Sequence, residues 1–178
     1  MPPLRPSLLL LLLATTARAA EPSPPVVLSV TAVESRTKYS RDAFAHGHHL
    51  QFKIVLKNVS QKIVRVEKRL QDALLVDSIH YQGRALVRSV ASIEPEAGMN
   101  DLAPTEHVGP LAPGEQVETT LDGLCKRYGR GEVRELCYAA DGPGDYQIVF
   151  RYEVAGHFAA DVIVGPLRSS PVTVTMTR

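Results

Sequence analysis

Residues 144 to 154 read Gly-Asp-Tyr-Gln-Ile-Val-Phe-Arg-Tyr-Glu-Val, and their side chains alternate between apolar and polar. The apolar positions recur at every second residue and are Tyr146, Ile148, Phe150, Tyr152 and Val154. Apart from a single valine, the positions between them are polar. This period of two predicts a β-strand with one face on a core and the other in water. Residues 141–144, Asp-Gly-Pro-Gly, predict a turn that leads into the strand.

Comparable patterns, separated by turn signals, run along the rest of the chain. We predict strands over residues 26–33, 50–57, 63–66, 74–81, 84–88, 116–121 and 172–177. A helical turn fits residues 66–73, and another fits 131–136. Residues 92–113 contain several Pro and Gly residues without periodicity, which predicts a long loop. The pattern therefore predicts an all-β fold, an antiparallel β-sandwich of about seven or eight strands.

The first residues have the composition of a secretory signal peptide. Arg5 provides a positive charge, Leu8 to Leu13 form an apolar run, and Ala17-Arg18-Ala19 matches a small-x-small cleavage site. We expect a signal peptide over 1–19, with cleavage after Ala19 or after the next residue, a Pro-rich lead-in over 20–25 and one domain over 26–178. The alternative is an uncleaved anchor, but the apolar run is far shorter than the roughly 20 residues of a spanning helix.

The charge of the chain is balanced, with 20 basic and 19 acidic residues. A nucleic-acid-binding protein carries a concentrated positive excess, so this class is not expected. The balance also provides no steering field for anionic membranes. The leader-like first residues, with no other stretch long and apolar enough to span a bilayer, predict an exported chain, periplasmic or secreted, that does not insert into the membrane once mature.

The two cysteines, Cys125 and Cys137, are an even number in a chain that we expect to meet an oxidising compartment. We predict a disulfide between them, which the loop-entropy model values at about 3 kcal/mol. A redox pair or a pair of metal thiolates are the alternatives. Both usually have Cys-x-x-Cys spacing or further Cys and His nearby, which this pair lacks.

Three segments resemble the turns and strand starts of bacterial exported immunoglobulin-like domains, namely Leu56-Lys57-Asn58-Val59-Ser60, Leu111-Ala112-Pro113-Gly114-Glu115 and Gly144-Asp145-Tyr146-Gln147-Ile148. Related sandwiches occur as protease-inhibitor domains and in secreted metallopeptidases. The resemblance implies that Tyr146 is a structural tyrosine that bonds back to nearby backbone at the corner before its strand. The chain departs from antibody domains, because it has no Trp and has Ile148 at the usual cysteine position.

The sequence lacks the motifs of common catalytic sites, including Gly-x-Ser-x-Gly, His-Glu-x-x-His and the phosphate-binding glycine loops. We therefore expect a protein without enzymatic activity and without a cofactor. His46, His48 and His49 are the sharpest local cluster, and neutral imidazoles at this spacing could share Cu(II), Ni(II) or Zn(II). The other interpretation is a solvated loop before a strand.

The segment between the cysteines is basic, and its Arg127 and Arg130 are candidate residues for docking an acidic partner. The loop Glu94–Pro110 is the second candidate surface. Asn58-Val59-Ser60 matches a glycosylation sequon, but we interpret it as a tight turn. The leading hypothesis is a protein-binding module whose partner is another exported or envelope protein. The alternatives are a metal or small-molecule carrier that uses the histidine cluster, and a proteinase inhibitor.

Overall fold

The computed structural model describes residues 24–45, 50–95, 107–128, 132–154, 162–163 and 165–178; of residues 72, 88–95, 126–128 and 132–136 it describes the backbone. In chain order the elements are β1 (Val26–Ala32), β2 (Arg36–Lys38), β3 (Gln51–Asn58), β4 (Val64–Glu67), α1 (Leu70–Ala73), β5 (Leu74–Tyr81), β6 (Arg84–Ala85), β7 (Arg88–Pro95), β8 (Val108–Leu111), β9 (Gln116–Asp122), β10 (Lys126–Tyr128), β11 (Glu132–Tyr138), β12 (Gly144–Tyr152), β13 (Leu167–Arg168) and β14 (Val172–Thr177). The fold is all-β with antiparallel sheets, as predicted.

Two of the sheets form the body of the fold. The first has the strand order β1-β3-β9, and the second has the order β2-β14-β12-β5-β6, with β13 attached to β12. Neighbouring strands in both sheets are antiparallel except β2 and β14, which pair in parallel. A two-stranded sheet, β4-β8, and a three-stranded sheet, β10-β11-β7, complete the described strands.

The core lies where the apolar faces of the two main sheets meet. The alternating residues of β12 are buried, as the sequence predicts, and β3 buries its own set of alternating residues. Phe52 of β3 and Phe150 of β12 bring their ring centroids to 5.1 Å, so the two sheets contact each other directly. Burial of these apolar side chains is the main stabilising contribution.

Tyr146 closes the turn before β12 in the manner predicted. Its hydroxyl donates to the carbonyl oxygen of Gly142 at 2.6 Å and accepts from the amides of Asp141 and Gly142, both at 3.0 Å. The ring stacks on Tyr81 with centroids 4.7 Å apart. The turn has glycine at 144, with φ at 144°, where a Cβ would approach the Tyr81 ring to 3.0 Å.

Residues 58–60 form the predicted turn. In this turn Asn58 is not accessible for glycosylation in the folded chain. The Asn58 side chain is fully buried. Its Nδ2 donates to the carbonyl oxygens of Lys62 at 2.8 Å and Leu111 at 2.9 Å. Its Oδ1 accepts from the amide of Ser60 at 2.9 Å. A glycan needs an accessible Nδ2, so Asn58 acts as a structural residue in the folded chain.

Several local predictions were wrong. Two parts of the loop predicted over 92–113 are strand: residues 92–95 belong to β7, and residues 108–111 form β8. Residues 132–136 belong to β11 instead of a helical turn, because β11 pairs with β10 on one side and β7 on the other. This tertiary pairing overrides the local helix preference. The helical turn before β5 is confirmed as α1.

Candidate functional site: the disulfide end

Cys125 and Cys137 form the predicted disulfide. Cys125 immediately precedes β10, whose first residue pairs with Leu136 of β11, so the cysteines continue the same antiparallel register. Cys137 is buried. The disulfide therefore joins the base of the β10–β11 hairpin close to the body of the fold. We call the part of the molecule around this bond the disulfide end.

The predicted metal ligands His46, His48 and His49 lie outside the described residues. The residues that flank them are described, and both sides bond to the segment just before Cys125. The amide of Leu124 donates to the carbonyl oxygen of Phe44 at 2.7 Å, and the amide of Gly123 donates to that of Leu50 at 3.1 Å. The structure therefore brings the flanks of the histidine segment to the disulfide end, and the metal site stays a prediction.

The predicted docking arginines lie in the same part of the molecule. Arg127 is in β10, opposite Glu135 of β11 in the ladder. Arg130 lies outside the described residues. Of the candidate loop Glu94–Pro110, the first two residues belong to β7, and residues 108–110 belong to β8. The contribution of these residues to partner binding stays a prediction.

Sequence reasoning missed a concave surface at the disulfide end, which we call the disulfide-end cleft. Its volume is about 420 Å³, and its lining residues are Arg41, Arg84, Ala85, Leu86, Val87, Ala139 and Asp141. It forms because β6 ends at Ala85 and the chain then crosses to β7 in another sheet. This crossing leaves Val87 85% exposed, the most exposed large hydrophobic side chain in the described part of the protein.

Charged side chains flank Val87 in the cleft. The guanidinium of Arg84 forms an ion pair with the carboxylate of Asp141. Arg41 is exposed, and among the described residues no carboxylate pairs with its side chain. The backbone beside it is fixed, because the amide of Ala140 donates to the carbonyl oxygen of Arg41 at 2.8 Å. The cleft thus combines an apolar side chain with the Asp141-paired guanidinium of Arg84 and the exposed guanidinium of Arg41.

Tyr146, in the core, supports the wall of the disulfide-end cleft. Its hydroxyl bonds to the amides of Asp141 and Gly142, so the backbone that carries the Asp141 carboxylate is held in place. Burial raises the pKa of the Tyr146 phenol above its ordinary value, and the bonds from Gly142 and Asp141 oppose this increase. The phenol therefore stays protonated at neutral pH and keeps donating to Gly142.

A second, more polar depression lies on the outer face of the largest sheet. Its volume is about 710 Å³, and it is lined by His80, Gln82, Gly83, Gly144, Asp145 and Gln147. The Asp145 carboxylate is already bonded, because it accepts from the hydroxyl of Thr175 at 2.6 Å. Within the described ranges, no group of three or more His, Cys, Asp or Glu side chains is arranged to hold a metal ion.

Comparisons with known proteins assign no family to the chain. No protein-family model matches it, and no curated protein matches it significantly. Among the helices of the described residues, none has the length and apolarity needed to cross a bilayer.

Proposed function

We propose that the protein is an exported, non-enzymatic immunoglobulin-like β-sandwich that binds another exported or envelope protein through its disulfide-end cleft. The observation that carries this proposal is the position of Val87, which is 85% exposed in a concave surface flanked by Arg41 and Arg84. Arginine is enriched at protein interfaces, and an exposed apolar side chain beside two arginines offers apolar surface that a partner can bury.

Two observations support the immunoglobulin-like class. The Tyr146 hydroxyl bonds back to Gly142, four residues upstream, as in the tyrosine corner of such sandwiches. The two main sheets also meet through alternating apolar residues of β3 and β12. This is the packing expected of two antiparallel sheets around one core.

The disulfide supports an exported location, because such bonds persist in oxidising compartments. The leader-like sequence of residues 1–19 points in the same direction.

Capture of partners tests the proposal. The chain is expressed with its own leader in the native host, cross-linked in the exported compartment and purified. The variant Val87→Asp replaces the exposed valine with a carboxylate and so removes the apolar contact surface. Val33→Asp is the matched control, because Val33 is 57% exposed and does not line the cleft.

We expect one dominant protein partner, present with the wild type and the Val33→Asp control and strongly reduced with Val87→Asp. Equal capture by all three proteins would exclude the cleft, and the absence of any partner would exclude a protein-binding module. If the captured partner is a protease, its inhibition by the purified protein assigns the inhibitor function. Saturable binding of Cu(II) or Zn(II), lost on replacement of His46, His48 and His49, would instead support the carrier hypothesis.

A further inference from the structure

A second exposed apolar surface lies on the loop between β3 and β4, residues 59–63, which we call the β3–β4 loop. Val59 is 50% exposed and Ile63 is 66% exposed. Pro113 is also exposed, in the turn after β8. That turn adjoins the loop, because the amide of Gly114 donates to the carbonyl oxygen of Asn58 at 3.0 Å. Single exposed apolar residues are common, but two on one short loop suggest a contact surface.

The β3–β4 loop is held rigidly by the buried Asn58. Its Nδ2 bonds to the carbonyl oxygen of Lys62 near the end of the loop, and its Oδ1 bonds to the amide and hydroxyl of Ser60 in the middle. A loop fixed in this way loses little conformational entropy when it binds. The exposure of Val59 and Ile63 is therefore built into the fold.

Two lysines flank these apolar side chains. Lys57 and Lys62 are both exposed, and residues 58–61 between them are neutral. In the sheet, Lys57 lies between two uncharged partners, Val27 of β1 and Gln116 of β9. The carboxylate of Glu115, in the adjoining turn, accepts from the amide of Ala112 at 2.7 Å. The loop thus combines two exposed aliphatic side chains with two lysines, and the Glu115 carboxylate lies in the adjoining turn.

The N-terminal segment enters the fold beside this loop. The amide of Val59 donates to the carbonyl oxygen of Pro25 at 3.0 Å. Residues 1–23, which include the apolar run Leu8–Leu13, therefore join the described chain beside the β3–β4 loop.

We propose that the β3–β4 loop is a peripheral contact site for an anionic phospholipid surface. Val59 and Ile63 would enter the boundary between headgroups and acyl chains, and Lys57 and Lys62 would lie against the headgroup phosphates. This contact needs no spanning segment and is independent of the proposed cleft function.

Sedimentation with vesicles tests the proposal on the chain expressed with its own leader and purified as the host processes it, with intact mass identifying the N-terminus. The vesicles are phosphatidylcholine alone or phosphatidylcholine mixed with phosphatidylglycerol. Lys62→Glu and Ile63→Ser are the test variants. Val87→Asp is the matched control, because it changes an exposed valine outside the loop. Unchanged melting temperatures verify that each variant is folded.

We expect salt-sensitive binding to the anionic vesicles only. Lys62→Glu should lower the partition coefficient by at least about fivefold, the factor for one lysine lost near an anionic surface. Ile63→Ser should lower it about tenfold, because much of an isoleucine side chain would no longer be buried, and Val87→Asp should not change it. The proposal is overturned if the wild type does not sediment with anionic vesicles, if it sediments equally with phosphatidylcholine alone, or if the loop variants sediment like the wild type.

Discussion

Replacing Tyr146 with phenylalanine removes one hydroxyl that serves three backbone groups. The ring contacts are kept, including the stack on Tyr81 at 4.7 Å and the edge contact with Phe44 at 5.3 Å. The amides of Asp141 and Gly142 and the carbonyl oxygen of Gly142 lose their partner. Leaving a buried polar group without a partner costs about 1–3 kcal/mol. Water can reach Asp141, so we expect a total loss of about 3 kcal/mol in the free energy of unfolding.

Tyr152→Phe is the matched control for this prediction. Both tyrosines are fully buried, but the Tyr152 hydroxyl accepts only one backbone bond, from the amide of Glu67 at 2.9 Å. We expect this variant to lose about 1.5 kcal/mol. Urea denaturation at neutral pH measures both values. A loss for Tyr146→Phe equal to or smaller than that for Tyr152→Phe would refute the argument that the corner hydroxyl fixes the turn.

Three further predictions concern pH, the Asn58 turn and the disulfide. Burial raises the pKa of Tyr152 to about 12. The unfolded chain therefore loses this proton first as the pH rises from about 10 to about 12, and stability falls by up to about 1.4 kcal/mol per pH unit. Urea titrations across this window should show a shallower decrease for Tyr152→Phe. Asn58→Asp places a carboxylate oxygen against the carbonyl oxygens of Lys62 and Leu111. Thermal unfolding should therefore show that the free energy of unfolding falls by about 3 kcal/mol, a larger decrease than for Ser60→Ala. Replacing both Cys125 and Cys137 with serine should lower the free energy of unfolding by about 3 kcal/mol. A reductant should lower the melting temperature of the wild type and leave that of the double variant unchanged.

The strands that could be predicted from the sequence are those with one buried and one exposed face. In β3, β12 and β14, alternate residues are buried, so the period of two is visible in the sequence. The turn at Asn58 was predicted for a similar reason, because its bond to Ser60 is local. Its bond to Leu111 and its full burial depend on a distant segment and have no local signal.

The remaining elements depend on long-range pairing. β11 becomes a strand because it lies between β10 and β7, and no alternation in its own residues shows this. The disulfide-end cleft has even less signal in the sequence, because its residues Arg41, Arg84 and Asp141 come from three separate segments. Val87 was assigned to a returning strand, since the sequence does not show that the chain leaves one sheet for another after Ala85.

The position of β14 has a consequence for the order in which the protein folds. β14 is the last of the described strands to be synthesised, yet it lies between β12 and β2 in the largest sheet. Until it emerges from the ribosome, β2 has no neighbour, and β12 presents an unpaired edge to other nascent chains. Long-range pairings of this kind form slowly, because the intervening chain must first be closed into a loop. The nascent chain therefore completes its largest sheet only after synthesis of Val172–Thr177.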